Sequence, residues 1–472
     1  MYEFEWDDGE DMDRKDLDET LRRFRESHRS GELSQSPPSP ETLENIVHYC
    51  IETQKFDDAL LFSHMWKELV PYSADAWHKY GMALSSVGRW SEALAAFDRA
   101  NELDPIDIDI LVNRGIALEQ NERLDEAIEL IEKALAVDPD HPDALFSKGM
   151  ILQKRERYEE AIRLFSYLQR HETLGRDATY ELAFCLEQAA RIDEALELYR
   201  KLLDQDPYDA NAWFNSGVLL GRQGAMRRAI DCYDLATVIK PDFASAWFNM
   251  GNAHATVGRL DAAIDAFRQG LVADPSDMGV AFELGATLED RGDFEEAITM
   301  FSTVVASDPS HAMAFYERGV CYDALGQYPE AIVDYDRSIE LNAAFADVWY
   351  ARADALYNSN NLKGAVDSYR RAIELNPEDV ECWLDYGSAA EESGDIDEAL
   401  RAYAHCVQKA PDWADGYYMT AHALSALREY NAAVPYLRRA FALDPSKLDD
   451  FAREFPTVAG DAGMTYFQRT LM

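Results

Sequence analysis

Seven aromatic residues recur every 34 residues and are the first side chains in this sequence suited to binding another molecule. They are Phe146, Tyr180, Phe214, Phe248, Phe282, Tyr316 and Tyr350. Asn215 and Asn249 directly follow two of them, and Asn252 comes three residues after Asn249. Aromatic rings stack on apolar and planar groups, and a side-chain amide pairs with both the N–H and the C=O of an extended peptide. This chemistry is non-covalent recognition.

Sequence motifs of catalysis are absent. There is no GxxxxGK loop, no HExxH and no GxSxG. Carboxylate runs such as Glu391-Glu392 are typical of solvated helix faces. The cysteines show neither CxxC nor metal-ligand spacing, and we expect them to be small buried hydrophobic residues. They are Cys50, Cys185, Cys232, Cys321, Cys382 and Cys406. The sequence therefore predicts a protein that is not an enzyme and holds no cofactor or metal.

A 34-residue repeat defines the elements that must position the aromatic and amide residues. The pattern AxAWFNxG occurs at residues 210–217 and again at 244–251. Later residues keep the same register, with Ala229, Tyr233 and Pro241 recurring as Ala263, Phe267 and Pro275. Gly and Ala permit close helix crossings, an aromatic ring fills the space beside them, and Pro ends the second helix. Each repeat is therefore predicted to be a helical hairpin.

This pattern resembles the tetratricopeptide repeat (TPR) family. The resemblance implies an all-α, right-handed solenoid of about twelve TPR hairpins over residues 40–447. The first repeat is degenerate, with Val47 where Gly is expected. A solenoid needs covered ends, and residues 448–472 are predicted to supply a C-terminal capping helix and tail.

Both ends of the chain carry separate predictions. Residues 1–39 form an acidic segment and a Ser/Pro linker, expected to be largely disordered apart from one short amphipathic helix. That segment could instead be a docking peptide. At the other end, Ser446 and Asp449 predict a capping box. An apolar stripe is expected to cover the last hairpin, formed by Leu448, Phe451, Ala452 and Phe455.

In TPR proteins the first helix of each hairpin lines a concave groove, so the resemblance also implies a peptide-binding site. Its residues here are Phe214, Asn215, Arg222, Phe248, Asn249, Asn252, Phe282, Tyr316 and Tyr350. The alternative for the aromatic residues is packing against their neighbours. Chaperone-binding members use a Lys/Asn/Arg clamp for a C-terminal carboxylate. This chain lacks that clamp, because Lys79, Lys154 and Arg222 are the only basic residues at groove positions.

The formal net charge of −43 constrains the partner. It disfavours nucleic acid and anionic membrane surfaces. The chain has 48 Asp and 40 Glu but only 12 Lys, so the charge reflects either a salt-adapted host or a basic ligand. Acids also occupy groove positions before residue 211 and after residue 256, whereas none lies between. They are Glu181, Glu187, Glu283, Glu289, Asp290, Glu317, Asp323, Asp347 and Asp354.

These observations predict a non-catalytic protein-interaction scaffold. Its expected partner is a protein or peptide with an apolar centre and basic flanks. The alternative is a regulatory or substrate-recruiting subunit of an enzyme or of a secretion or assembly complex on another chain. Because the sequence has no apolar run of about 18 residues and its acidic first residues do not resemble a secretory signal, we expect no membrane insertion and a cytoplasmic location.

Overall fold

A computed structural model of the chain describes residues 14–30 and 38–454. Within these ranges 26 α-helices follow one another and no strand occurs. The chain divides into two compact units, with unit 1 ending at Ala212 and unit 2 beginning at Trp213. None of the described helices is both long and apolar enough to cross a membrane.

Twenty-four of the helices form twelve hairpins, which confirms the predicted all-α repeat array. The first helices of the hairpins, called A helices, are α2 (Pro40–Glu52), α4 (Ala74–Ser86), α6 (Ile108–Gln120), α8 (Pro142–Lys154), α10 (Gly175–Gln188), α12 (Ala210–Arg222), α14 (Ala244–Thr256), α16 (Met278–Arg291), α18 (Ala312–Ala324), α20 (Ala346–Asn358), α22 (Val380–Ser393) and α24 (Ala414–Ala426). The second helices, called B helices, are α3 (Phe56–Leu69), α5 (Trp90–Leu103), α7 (Leu124–Val137), α9 (Tyr158–Leu168), α11 (Ile192–Gln205), α13 (Met226–Ile239), α15 (Leu260–Ala273), α17 (Phe294–Ser307), α19 (Tyr328–Leu341), α21 (Leu362–Leu375), α23 (Ile396–Lys409) and α25 (Tyr430–Leu443). Helices α1 (Arg14–Ser30) and α26 (Lys447–Glu454) flank them.

In seven of the twelve hairpins an aromatic ring of the B helix lies against a glycine of the A helix. A Cβ atom built on Gly217 would lie 2.6 Å from Tyr233, and one built on Gly319 would lie 2.6 Å from Tyr335. Any side chain at these glycines would overlap the ring. The recurring Gly and aromatic residues are therefore one packing device.

In several hairpins a tryptophan of the A helix is hydrogen-bonded to the turn that precedes the hairpin. The indole N–H of Trp247 donates to the carbonyl of Pro241 at 2.9 Å, and that of Trp383 donates to the carbonyl of Pro377 at 3.0 Å. The turn inside the hairpin needs a left-handed residue, supplied by Gly258 (φ 75°) in the α14–α15 hairpin. The α14–α15 hairpin thus has fixed geometry at both turns.

Within unit 2 the A helices pack directly on one another, since α14 contacts α16, α16 contacts α18 and α18 contacts α20. The B helices instead contact chiefly the A helices before and after them. The A helices therefore form the more closely spaced layer. Their outer surface in unit 2 is called the A-helix face below.

Helix α1 covers the first hairpin, and the spacing of Leu17, Leu21 and Phe24 predicts that helix correctly. Leu21 and Phe24 are buried against α2 and α3. The guanidinium of Arg25 binds Asp58 at 2.7 Å (Nε to Oδ1). The degenerate first repeat still forms a hairpin in which Val47 is fully buried. The rest of the predicted tail, residues 1–13 and 31–37, lies outside the described residues.

The last hairpin is covered by α26, although not as the sequence predicts. The Asp449 N–H, which the Ser446 hydroxyl would accept in a capping box, donates instead to the Ser446 carbonyl at 2.9 Å, and the hydroxyl itself donates to Asp444 (2.7 Å). Leu448 is 52% exposed, so it lies off the covering stripe, whereas Phe451 is buried and contacts Phe441. The capping box and the place of Leu448 in the stripe were wrong. The side chain of Ala452 and the whole of Phe455 lie outside the described residues.

All six cysteines are free and buried, as predicted. Burial raises the pKa of each thiol, for example to about 12 for Cys50 and about 11 for Cys232. A thiol that stays protonated is a poor nucleophile and a poor metal ligand. The cysteines therefore act in packing.

Candidate functional site

The five predicted aromatic residues of the site are half-buried on the A helices of unit 2. Each ring packs on the B-helix aromatic residue of its own hairpin, with centroid distances of 5.5–6.1 Å. The next hairpin covers three of the rings further, through contacts of Phe214 with Phe243, Phe282 with His311 and Tyr316 with Phe345. These rings are therefore first a packing element, and only their remaining exposed surface is available to a ligand.

The predicted amides lie on α12 and α14. Asn215, Asn249 and Asn252 are half-buried, and Arg222 at the end of α12 is exposed. The Asn249 amide N–H donates to the carbonyl of Ser245 in its own helix at 3.0 Å. That contact holds the side chain in place and leaves the amide oxygen as an acceptor. Asn249 and Asn252 lie one helical turn apart, so both belong to one stripe of α14.

Half-buried carboxylates occupy the A-helix face after residue 280. They are Glu283 and Glu289 on α16, Glu317 and Asp323 on α18, Asp354 on α20, and Asp385 and Glu391 on α22. Two other acids predicted for the groove, Asp290 and Asp347, are exposed. The structure thus sorts the predicted acids into a half-buried set and a solvated set.

Burial and mutual repulsion raise the pKa of carboxylates in the half-buried set. The pKa of Glu289 rises to about 7, first because the group is buried and then because the charge of Glu317 lies close. A hydrogen bond with the Cys321 thiol opposes this shift. Asp354 rises to about 6 through burial and the charges of Asp385 and Asp323, despite its bond from Tyr369. Such groups favour binding a proton or a cation.

Tyrosine hydroxyls hold several of these carboxylates. Tyr350 Oη donates to Asp385 at 2.6 Å, and Tyr369 Oη donates to Asp354. Tyr403 Oη donates to Glu391 at 3.0 Å. The face is therefore organised by phenol–carboxylate pairs as well as by stacked rings.

Sequence reasoning missed these phenol–carboxylate pairs. The available signal was the run of Tyr335, Tyr369 and Tyr403 at a position where the two preceding hairpins carry Phe267 and Phe301. A phenol needs a polar partner when buried. Three consecutive tyrosines at a buried position therefore indicate polar groups on the facing A helices.

The arginines of the carboxylate-bearing A helices bind carboxylates on B helices. Helices α16, α18 and α20 carry one arginine each and no lysine. Arg291 binds Asp261 at 2.7 Å, Arg318 binds Asp334 at 2.7 Å and Arg352 binds Asp336 at 2.6 Å. All three partners lie on B helices. The carboxylates between α16 and α20 consequently receive no counterion from their own helices.

Comparison with known families adds an independent observation. A family model described as Tetratricopeptide repeat matches residues 79–142, 112–173, 146–210, 186–242, 216–277, 282–347 and 350–412. A second model with the same description matches residues 414–447. None of the curated proteins matches the chain.

Solved structures similar to this chain include MamA, YrrB and a chain of the APC/C hetero-tetramer Cut9–Hcn1. A crystal structure of MamA is 28% identical, with 34% of this chain and 94% of MamA covered and a TM-score of 0.33. YrrB, described as a TPR protein with an unusual peptide-binding site, is 22% identical, with 39% and 95% covered and a TM-score of 0.37. A chain of the APC/C hetero-tetramer Cut9–Hcn1 is 16% identical, with 98% and 97% covered and a TM-score of 0.40.

Proposed function

Because the chain belongs to the tetratricopeptide repeat family, we propose that it is a non-catalytic scaffold that binds a protein or peptide on the A-helix face of unit 2. The observation that carries the proposal is the change in side-chain chemistry along this face, from amides to carboxylates. Amides and ring edges lie on α12 and α14, and half-buried carboxylates without a counterion from their own helices follow on α16, α18 and α20.

The proposed ligand is an extended segment with an apolar centre and a basic end. Its apolar part would lie against the exposed edges of Phe214 and Phe248, and its backbone would pair with the amides of Asn215, Asn249 and Asn252. Its basic end would lie over the carboxylates, where opposite charge gives both orientation and a faster association rate. Nucleic acid is disfavoured as a ligand because a phosphate backbone would meet the same carboxylates.

The contribution of the amides to the binding free energy can be given an approximate range. Losing one amide leaves a peptide donor or acceptor unpaired, which costs about 1–3 kcal/mol where water is excluded. Two independent losses would lower affinity by one to a few powers of ten, since each 1.4 kcal/mol corresponds to about tenfold. The amides therefore give affinity with little sequence preference, and the carboxylates give charge selectivity.

The test begins by isolating the partner with the immobilised chain and identifying it by mass spectrometry. Titration calorimetry then compares wild type with Asn215→Ala/Asn249→Ala and with Glu289→Gln/Asp290→Asn. The proposal expects the amide variant to bind more weakly at all salt concentrations, and the acid variant to lose mainly salt dependence and association rate. Unchanged affinity in both variants would remove binding from this face.

We also propose a cytoplasmic location, which the six free, buried cysteines support because reducing compartments keep thiols unpaired. The acidic surface is consistent with either a salt-adapted host or a basic partner. Two measurements separate these causes. Salt adaptation makes the stability of the chain alone depend on salt, whereas a basic partner makes the binding affinity depend on salt.

A further inference from the structure

Unit 1 contains a cavity of about 420 Å³ between the first turn of α10, the turn that precedes it and the last two turns of α11. Its apolar lining comes from Leu198 and Leu202, which are buried. Its polar lining includes Gln169, Lys201 and Gln205. The volume falls within the range of about 300–1,000 Å³ that is usual for ligand sites, and the mixed lining is also usual for them.

The cavity lies where the repeat lacks a large side chain. Thr179, which also lines the cavity, is the fourth residue of its repeat. Five of the twelve repeats carry tryptophan at that position, namely Trp77, Trp213, Trp247, Trp349 and Trp383. Relative to those repeats, Thr179 leaves the space of an indole ring unfilled.

The tryptophan hairpins show which B-helix residues border this space. The guanidinium carbon of Arg371 lies 5.9 Å from the ring centroid of Trp349, and the rings of Trp383 and His405 stack with their centroids 4.2 Å apart. Arg371 and His405 are the twenty-sixth residues of their repeats. Lys201 is the twenty-sixth residue of its own repeat and lines the cavity. The cavity therefore corresponds to the place that the indole occupies in those hairpins.

The cavity also offers an acceptor for an indole N–H, which needs one when it is buried. In the α14–α15 hairpin that acceptor is the carbonyl of Pro241. The turn before α10 has no proline. Its residue Gln169 donates from Nε2 to the Thr179 hydroxyl at 3.5 Å, which leaves the Gln169 amide oxygen as an acceptor beside the cavity.

We propose that this cavity binds the indole ring of a tryptophan from a partner protein. The ring would lie against Leu198 and Leu202, with the ammonium group of Lys201 over its face. Its N–H would donate to Gln169. The chain's own indoles reach the corresponding places from a polypeptide backbone, so a protein-borne ring is the matching ligand. The site lies in unit 1 and is independent of the function proposed for the A-helix face of unit 2.

The first experiment uses N-acetyl-5-fluoro-L-tryptophanamide, whose blocked ends imitate a tryptophan within a peptide. Fluorine NMR follows its binding to the full chain, and unlabelled compounds then compete with it. N-acetyl-L-tryptophanamide should compete at concentrations at least about tenfold lower than N-acetyl-L-leucinamide, because leucine has no flat ring to place under a cation. Equal competition by these two compounds would overturn the indole site. Free L-tryptophan competing more strongly than the blocked amide would assign the cavity to the amino acid and overturn the protein partner.

Filling the cavity from within locates the probe. Thr179→Trp places the chain's own indole there, so it should weaken probe binding at least about tenfold and raise the melting temperature. Thr179→Ser keeps the cavity open and serves as the matched control, with probe binding unchanged. Unchanged probe binding in a folded Thr179→Trp protein would place the probe elsewhere and overturn the proposal.

A second variant decides the question even where Thr179→Trp does not fold. Lys201→Met removes the cation and keeps an unbranched side chain, so it should weaken probe binding about two- to fivefold. Lys133→Met is the matched control, because Lys133 is exposed at the same repeat position on α7, where Leu111 is the fourth residue of the repeat. Equal effects of the two lysine variants would contradict binding in this cavity.

Discussion

Gly251 on α14 and Phe267 on α15 lie so close that a Cβ atom on the glycine would be 2.5 Å from the ring carbon Cε1. Phe267 is fully buried and its ring also contacts Phe248 (6.1 Å) on the A-helix face. The glycine thus fixes the ring, and the ring supports a residue of the candidate site. The stability of this hairpin and the position of that candidate-site residue therefore depend on the same contact.

Gly251→Ala should destabilise the protein by about 1–3 kcal/mol, because the added methyl group overpacks a rigid core. Gly221→Ala is the matched control, since its Cβ would lie 3.8 Å from Tyr233 Oη and alanine favours a helix. That variant should be neutral or stabilised by up to about 1 kcal/mol. Urea denaturation followed by circular dichroism measures both, and equal losses would contradict the close packing.

Glu289→Gln should change how stability depends on pH. The pKa of Glu289 is about 7 in the folded protein against an ordinary 4.5, so the folded state holds its proton more tightly. Glu289 therefore contributes stability that is lost as pH rises from about 4.5 through 7, and the glutamine variant lacks this contribution. The variant should gain about 1–3 kcal/mol relative to wild type between pH 4.5 and pH 8, after allowance for partial solvent exposure.

Denaturation of both proteins at several pH values provides the measurement for Glu289. Glu295→Gln, which removes a charge from the exposed surface of α17, is the control. The stability difference between Glu295→Gln and wild type should stay nearly constant with pH. A Glu289→Gln difference that is equally constant would show that Glu289 titrates normally.

Added salt should raise the melting temperature of the whole chain. With a net charge of −43, self-repulsion destabilises the folded state, and mobile ions screen it. Between about 0.1 and 1 M NaCl the Debye length falls from about 10 Å to about 3 Å. Scanning calorimetry across that range should show a steady increase. A melting temperature independent of salt would leave a basic partner as the remaining explanation of the charge.

Much of the fold could be predicted from the sequence because the repeated residues impose the same steric constraint on helix packing in each hairpin. Gly251 and Phe267 recur with the same spacing as Gly217 and Tyr233, and the same hairpin must result each time. The capping box at Ser446 was wrong because the Asp449 N–H donates to the Ser446 carbonyl and not to its hydroxyl. Local competition of that kind depends on turn geometry, which the spacing does not encode.

The candidate site was predictable only in part. The positions of Asn215 and Asn249 on A helices follow from the repeat, and so do those of the aromatic residues. The buried hydroxyl of Tyr335, however, has no hydrogen-bond partner among the described residues, which depends on Val320 on the facing helix and on the neighbouring hairpins. The raised pKa of Glu289 likewise depends on burial and on Glu317. The missing partner of Tyr335 and the raised pKa of Glu289 both depend on how neighbouring hairpins pack together in the folded protein.

Site-specific photocrosslinking tests the central claim, binding on the A-helix face, most directly. p-Benzoylphenylalanine is placed at position 245 on α14, where Ser245 is exposed and lies one helical turn from Asn249. In separate proteins it is placed at positions 238 and 272, where Val238 and Val272 on B helices are 70% and 74% exposed. Each protein is irradiated with the isolated partner, and adducts are quantified by mass spectrometry. The account predicts adducts from position 245 and background levels from positions 238 and 272. Adducts from the B-helix positions with none from position 245 would contradict it.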